Sequence, residues 1–366
     1  MNIGIVGAGI CGRVTALYLA RAGHQVEIFE QRAEHQQDIT SYTAAGMLTP
    51  YAELECAQPD LFEMGLASLS LWSELAASMR EDIAYQAGGT LMLAHPQDRA
   101  ELHRLSGIFQ RTGLLSSPQV SSLDREVIAQ LEPELSERFD QGFYLHNEAS
   151  VDAAETMRVL LNELQHLQVQ THFVTPVQRI RANEIELESR KLSFDCVIDC
   201  RGLQARDVLP TLRGVRGELL VLEAPDVQIS HLIRLLHPRY RLYIAPQTRQ
   251  RYIVGASQIE SDDQRPISAR STLELLSAAV SLHSGFAEAS IIESRVHCRP
   301  TLPDNEPRIF VEPGLLRVNG LYRHGYLLSP LVASEVTRLL SGDETGSGTF
   351  PNLIERTGEV CNAVAG

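Results

Sequence analysis

The chain has 366 residues, 44% hydrophobic and 21% charged, which is enough for two structural units and a large buried core. Asp and Glu number 46 against 32 Lys and Arg, which argues against the basic footprint of a nucleic-acid partner, and no run reaches the roughly 18 apolar residues of a membrane span. Lys191 is the only lysine, so Schiff-base and most other lysine chemistry is set aside.

The six cysteines, Cys11, Cys56, Cys196, Cys200, Cys298 and Cys361, make no zinc-like pair of C-x-x-C motifs, so no metal site is expected and all six are read as reduced. A strand that begins at Asn2 leaves no room for a signal peptide and predicts a cytoplasmic protein.

Residues 2–6 read as a short buried strand, and Gly7, Gly9 and Gly12 follow in the G-x-G-x-x-G spacing. A helix is predicted to about Ala22, with Gly23 as its stop. A second strand over 25–29 ends at Glu30. Each part has a task in dinucleotide binding. Gly7 permits the tight turn, Gly9 lets the backbone approach a pyrophosphate, and Gly12 lets the helix pack on the strand. The helix N-terminus favours the anion, and Glu30 accepts from the ribose hydroxyls. The motif alone does not separate FAD from NAD.

Further along, a helix is predicted from about Asp60 to Arg80, a strand at 88–93, and polar helical segments to about Phe139. Ser150-Val151-Asp152 opens a helix through about Leu167. Strands at 169–173, 177–180 and 194–200 read as a return to the first sheet. The adjoining runs 215–222, 241–245 and 251–256 suggest a second, antiparallel sheet. Residues 271–283 read as a helix, 315–319 as a strand and 326–340 as a helix, with a loose polar tail after Gly342. The predicted fold class is α/β. A Rossmann-like domain is assembled from 1–85, 148–210 and 300–366. A mixed or antiparallel substrate-binding domain is inserted from 86–147 and 211–299.

Several segments together resemble the D-amino-acid oxidase family of flavoproteins, and within it the glycine oxidases of thiamine biosynthesis. They begin with the glycine fingerprint and Glu30, then Thr43-Ala44-Ala45-Gly46-Met47-Leu48 and Ser150-Val151-Asp152. Val215-Arg216-Gly217-Glu218, Tyr243-Ile244-Ala245-Pro246 and Ile253-Val254-Gly255-Ala256 follow. The last are Arg299-Pro300 with Pro303-Asp304 and Pro307, then 320–325 and Leu327-Leu328-Ser329-Pro330. They stand in family order over nearly the whole chain.

The resemblance implies one FAD, held without a covalent bond. Gly7, Ala8, Gly9, Ile10, Cys11 and Gly12 would form its turn, with Glu30 and Gln31 at the end of the second strand. Ser41, Thr43, Ala44, Ala45 and Gly46 would line the pyrophosphate and flavin. Val177 would hold the adenine, with Cys200 and Gly202 near the phosphates. Arg323, His324, Gly325, Tyr326, Leu327 and Leu328 would close on the ring. Cys298 lies one position from where sarcosine oxidases attach flavin, so it is expected to be a buried free thiol.

The implied reaction oxidises an amine beside a carboxylate, with hydride transfer from the α-carbon to flavin N5, and with oxygen as acceptor. Arg299 would clamp the substrate carboxylate in a bidentate fork, unless it serves a structural ion pair with Asp304. Tyr243 would bind the same carboxylate, and Arg323 would lie near flavin and substrate. Met47 and Tyr51 would restrict the pocket. Arg241 stands where these enzymes carry a histidine. It points either to an acidic substrate or to a side chain on the rim. The family also suggests a homo-oligomer. The competing readings are a dehydrogenase of the same fold that uses a quinone or carrier, an aromatic-ring hydroxylase, and a flavin-binding partner without turnover of free metabolites.

Overall fold

A computed structural model describes residues 1–34, 36, 38–54, 59–238, 241–342 and 350–356, with the backbone alone at Pro59 and Arg241. Cys56, Cys361, Arg239 and the side chain of Arg241 lie outside the described residues. Two large sheets organise the chain. The first has seven strands in the order Ile354–Arg356, Arg308–Glu312, Leu315–Asn319, Cys196–Asp199, Asn2–Val6, Gln25–Phe29, Gln170–His172. The run from Leu315–Asn319 to Gln170–His172 is parallel, with Ile5 between Ile28 and Ile198 in register. The central strands Asn2–Val6 and Cys196–Asp199 are mostly apolar because both faces are covered. On one face lie the helices Ile10–Arg21, Pro59–Ser78, Ala153–His166 and Gly325–Leu340. On the other, Val6, Phe29 and Val197 pack on Ile180, Ile185 and Phe194.

That second covering corrects one expectation. Val177–Arg181 does not return to the first sheet but joins Glu184–Leu187 and Lys191–Ser193 in a separate three-stranded antiparallel sheet. Ile180 and Ile185 are its buried contacts with the first sheet, while Gln178, Arg179 and Arg181 are exposed, so one face is dry and the other wet. The polar region before Phe139 also contains a strand, Val120–Asp124. The tail is not uniformly loose, because Ile354–Arg356 pairs in parallel with Arg308–Glu312.

The second sheet has nine strands and is mixed rather than purely antiparallel. Leu232–Leu236 runs parallel to Thr90–Ala94 and antiparallel to Arg241–Gln247. Ser290–Thr301 lies along the outer side of Arg213–Glu223. Strand alternation divides its side chains between two faces. Leu220, Leu222, Ile233, Leu242 and Val254 pack under the helix Ala269–Leu282. Leu219, Val221, Ala245, Ile253 and Tyr243 face the other way, where Ala45 and Met47 of the first unit meet them.

Asp152 caps the helix Ala153–His166, its carboxylate accepting from the Glu155 N–H at 2.9 Å. No helix among the described residues is long and apolar enough to cross a membrane.

Candidate active site

The first strand turns into the first helix through Gly7, whose φ of +105° only glycine adopts without strain. A Cβ on Gly12 would overlap the Gly7 carbonyl oxygen, so this close approach needs a second glycine. Gly9 is the N-cap, and no side chain caps it. The Ile10 N–H donates to Ser41 Oγ at 2.9 Å. Glu30 accepts from the Ala8 N–H at 3.0 Å and the Arg32 N–H at 3.0 Å, which fixes the glycine turn to the end of the second strand. Cys200 lies beneath Gly7, where its carbonyl would meet a Cβ at 2.7 Å. Cys11 and Leu328 are buried in the apolar core, Gln31 is exposed, and Val177 packs with the small sheet. Gly202, at φ +58°, accepts through its carbonyl from the Asn319 amide at 2.9 Å.

A cavity of about 1180 Å³ opens between the first helix, the start of the last long helix and the mixed sheet. One wall is the segment from Thr40 to Met47 with Ile10. Another is Arg323, His324, Gly325, Tyr326 and Leu327, where the last long helix begins. The third is the inner face of the mixed sheet, with Gly217, Leu219, Arg234, Tyr243 and Arg299. The structure thus brings most of the expected flavin-side residues together with Arg299, Tyr243, Arg323 and Met47. Tyr51 is the exception: it is buried against Phe62 with ring centroids 5.3 Å apart and does not line the cavity.

Two glycines shape the sheet under Arg299 and Tyr243. An ideal Cβ on Gly217 would come 2.5 Å from Arg299 Cζ, and one on Gly255 would come 2.5 Å from the Tyr243 hydroxyl. Each long side chain therefore lies flat across a neighbouring strand that has no side chain to obstruct it. Among the described residues no carboxylate forms an ion pair with Arg299. Its guanidinium donates only to backbone, to Ser257 O at 3.3 Å and Arg216 O at 3.5 Å. Asp304 is committed to Arg308 at 2.6 Å, which removes the structural pair weighed from the sequence. Burial presses the Arg299 pKa down, and Tyr243 and Tyr322 counter it. Burial raises that of Tyr243, opposed by Arg299, Arg234 and Arg323.

Sequence reasoning missed two charged residues here, Glu53 and Arg234. Glu53 is buried on the short helix Pro50–Glu53 and ion-pairs with both Arg323 and Arg234. Arg234 is buried within the strand Leu232–Leu236, directly opposite Tyr243 in register. The signal available was one arginine inside an otherwise apolar five-residue strand. Arg323 is held by Glu53 and packs 5.6 Å from the Tyr322 ring centroid, yet its Nε is buried without a partner among the described residues. His324 is pushed down to about 4 by burial and is neutral at physiological pH.

These features fit a bound dinucleotide. The last long helix begins at the cleft with no side-chain cap, the glycine turn leaves room for a phosphate backbone, and a buried guanidinium atom has no partner among the described residues. The fold and site define a flavin-dependent oxidoreductase. A sequence model of the family described as FAD dependent oxidoreductase (DAO) matches residues 2–339, and the chain belongs to that family. It is 37% identical over 340 residues to a Rhizobium etli protein assigned by name to thiamine biosynthesis as the oxidoreductase ThiO, which spans 93% of this chain and 96% of that one. A crystal structure of glycine oxidase from Geobacillus kaustophilus superposes with a TM-score of 0.83 at 26% identity, covering 95% of this chain and 97% of that one. Iminodiacetate oxidase from Chelativorans sp. BNC1 gives the same TM-score and identity, covering 97% and 99%.

Proposed function

We propose that this FAD-dependent enzyme oxidises glycine or another small amino acid or amine that carries a carboxylate. Oxygen and water are consumed, and the 2-oxo acid, ammonia and hydrogen peroxide are released. For glycine the organic product is glyoxylate, and the names of the relatives support a place in forming the thiazole of thiamine. The observation that carries this reading is Arg299, sunk in the cavity wall beside Tyr243 with no acid of its own. A buried guanidinium without a carboxylate is costly until an anion binds. The planar fork accepts a carboxylate through two parallel hydrogen bonds, and the Tyr243 hydroxyl supplies a further donor.

Gly7, Ala8, Gly9 and the following helix would hold the pyrophosphate, and Glu30 the ribose. The segment 43–46 and residues 323–327 would enclose the ring. Bound FAD supplies the two-electron acceptor that the protein itself lacks. The chain's own residues orient the substrate. Arg299 and Tyr243 fix the carboxylate and so limit the positions open to the α-carbon. Glu53 fixes Arg323 on the opposite wall. With His324 neutral, that wall adds no imidazolium to repel a cationic amine.

Anaerobic mixing of the yellow holoenzyme with glycine and sarcosine, followed by air, tests the proposal. Bleaching and then recovery with one peroxide per turnover is expected. Bleaching without recovery in air assigns a dehydrogenase with another acceptor. No bleaching by any amine overturns the reading.

A further inference from the structure

Arg234 stands directly opposite Tyr243 across two paired strands, so both side chains emerge on the cavity face, with Cβ atoms about 5 Å apart. Its side chain is only 6% accessible. Among the described residues it makes two polar contacts, both long: Nη1 to Glu53 Oε1 at 3.4 Å and Nη2 to Ala52 O at 3.4 Å. A guanidinium has five N–H donors, and good hydrogen bonds to oxygen are about 2.9 Å long.

The charge balance of the inner cavity adds a second observation. The charged groups acting most strongly on Tyr243 are Arg299, Arg234, Arg323 and Glu53. Three cations thus face Glu53, which is shared between Arg323 and Arg234, and the buried Glu148 carboxyl, whose pKa burial pushes up to about 7, adds at most a fractional charge near Arg234. At the rim, Asp304 and Glu306 are paired with Arg308, and Glu101 with Arg104. A substrate with one carboxylate balances Arg299 and leaves one inner cation in excess.

We infer that Arg234 is a specificity-determining residue that binds a second anionic group of the substrate, so that the preferred substrate is a small dicarboxylic amine or amino acid. The inference rests on the amine-oxidase reading for its chemistry and names the substrate class of that same pocket. One carboxylate lies on Arg299 and Tyr243. The second, two or three bonds beyond the amine-bearing carbon, reaches Arg234 beside Tyr243 and replaces its long contacts with short ones. On this reading the strand Leu232–Leu236 sets the preference for such a substrate over glycine.

The test uses binding without turnover. The oxidised holoenzyme is titrated with diglycolate, which has two carboxylates and no amine, and with methoxyacetate, its one-carboxylate counterpart. Binding is followed by the shift of the flavin absorbance. Diglycolate is expected to bind at least about tenfold tighter, the factor that one modest charge-assisted contact supplies. In Arg234→Met that ratio falls to about one while methoxyacetate keeps its affinity, and Arg234→Lys retains part of the preference. Equal affinities in the unmodified enzyme overturn the inference, whatever the variants do. So does a preference that survives in Arg234→Met. A preference for diglycolate in an enzyme that no amine bleaches upholds the anion site and removes the amine-oxidase reading. Bleaching by glycine with equal affinities does the reverse.

Discussion

The Arg299 guanidinium occupies the space above Gly217, with its Cζ 2.5 Å from where a Cβ on that glycine would lie. The two residues belong to adjacent strands, and Gly217 itself is paired in register with His297. A methyl group at 217 must displace the clamp. Gly217→Ala is expected to raise KM for the amine about tenfold or more at unchanged flavin content. The strain is about 1–3 kcal/mol, as for other overpacked sites. Steady-state kinetics beside the 450-nm absorbance checks this; unchanged KM removes Gly217 from the argument. Gly255→Ala should act on Tyr243 in the same way.

Arg299→Ala removes the proposed carboxylate clamp itself. Losing one partner of a buried charge pair costs about 3–5 kcal/mol, or more than a hundredfold in kcat/KM. FAD should remain bound, because the glycine turn and Glu30 are built on other strands. Arg299→Lys should recover only part of the loss, since an ammonium cannot make the two parallel hydrogen bonds. A kcat/KM within threefold of the parent enzyme for Arg299→Ala would falsify the assignment.

Cys298 is fully buried, and its thiol is directed at the carbonyls of Ser261 (3.5 Å) and Asp263 (3.7 Å). Burial raises its pKa, so little thiolate is present to attack a flavin methyl group. The expected outcome is that acid precipitation releases all the FAD into the supernatant, and that Cys298→Ser retains as much FAD as the parent. Yellow colour in the washed pellet contradicts it.

The parts of this molecule that were legible in the sequence are those where one residue type has one physical use. Gly7, Gly9 and Gly12 with Glu30 announced the first turn, because at 7 and 12 only glycine fits, and Asp152 announced a helix by its capping side chain. The proposed clamp pair Arg299 and Tyr243 came from ordered resemblance, not from spacing, since the two residues lie on different strands, far apart in the chain. Glu53 was invisible because an acid in a short polar stretch ordinarily faces water. Only its packing between Arg323 and Arg234 makes it part of the site. Val120–Asp124 was hidden by its serines, which suit an edge strand as well as a loop. The small sheet at 177–193 looked like a continuation of the first because register between distant strands is written in tertiary packing, not in local pattern.

Glu148 gives the pH prediction. It is fully buried, its Oε1 accepts from the Ala52 N–H at 2.8 Å, and its Oε2 has no partner among the described residues. Burial pushes its pKa up to about 7, against smaller lowering effects from Thr90, the Ala52 N–H and Arg234. The folded protein therefore holds this proton more tightly than the unfolded chain, whose carboxyl titrates near 4.5. The stabilisation is full below about pH 4.5. It declines as pH rises and is gone just above pH 7, a loss of about 3 kcal/mol. Glu148→Gln keeps an acceptor for Ala52 and carries no charge at any pH. Thermal unfolding of the holoenzyme should show the parent losing Tm between pH 5 and pH 8, while Glu148→Gln loses less and is the more stable of the two at pH 8. Parallel Tm curves for the two proteins from pH 5 to pH 8 would show that Glu148 is already ionised, or is solvated, in the folded state.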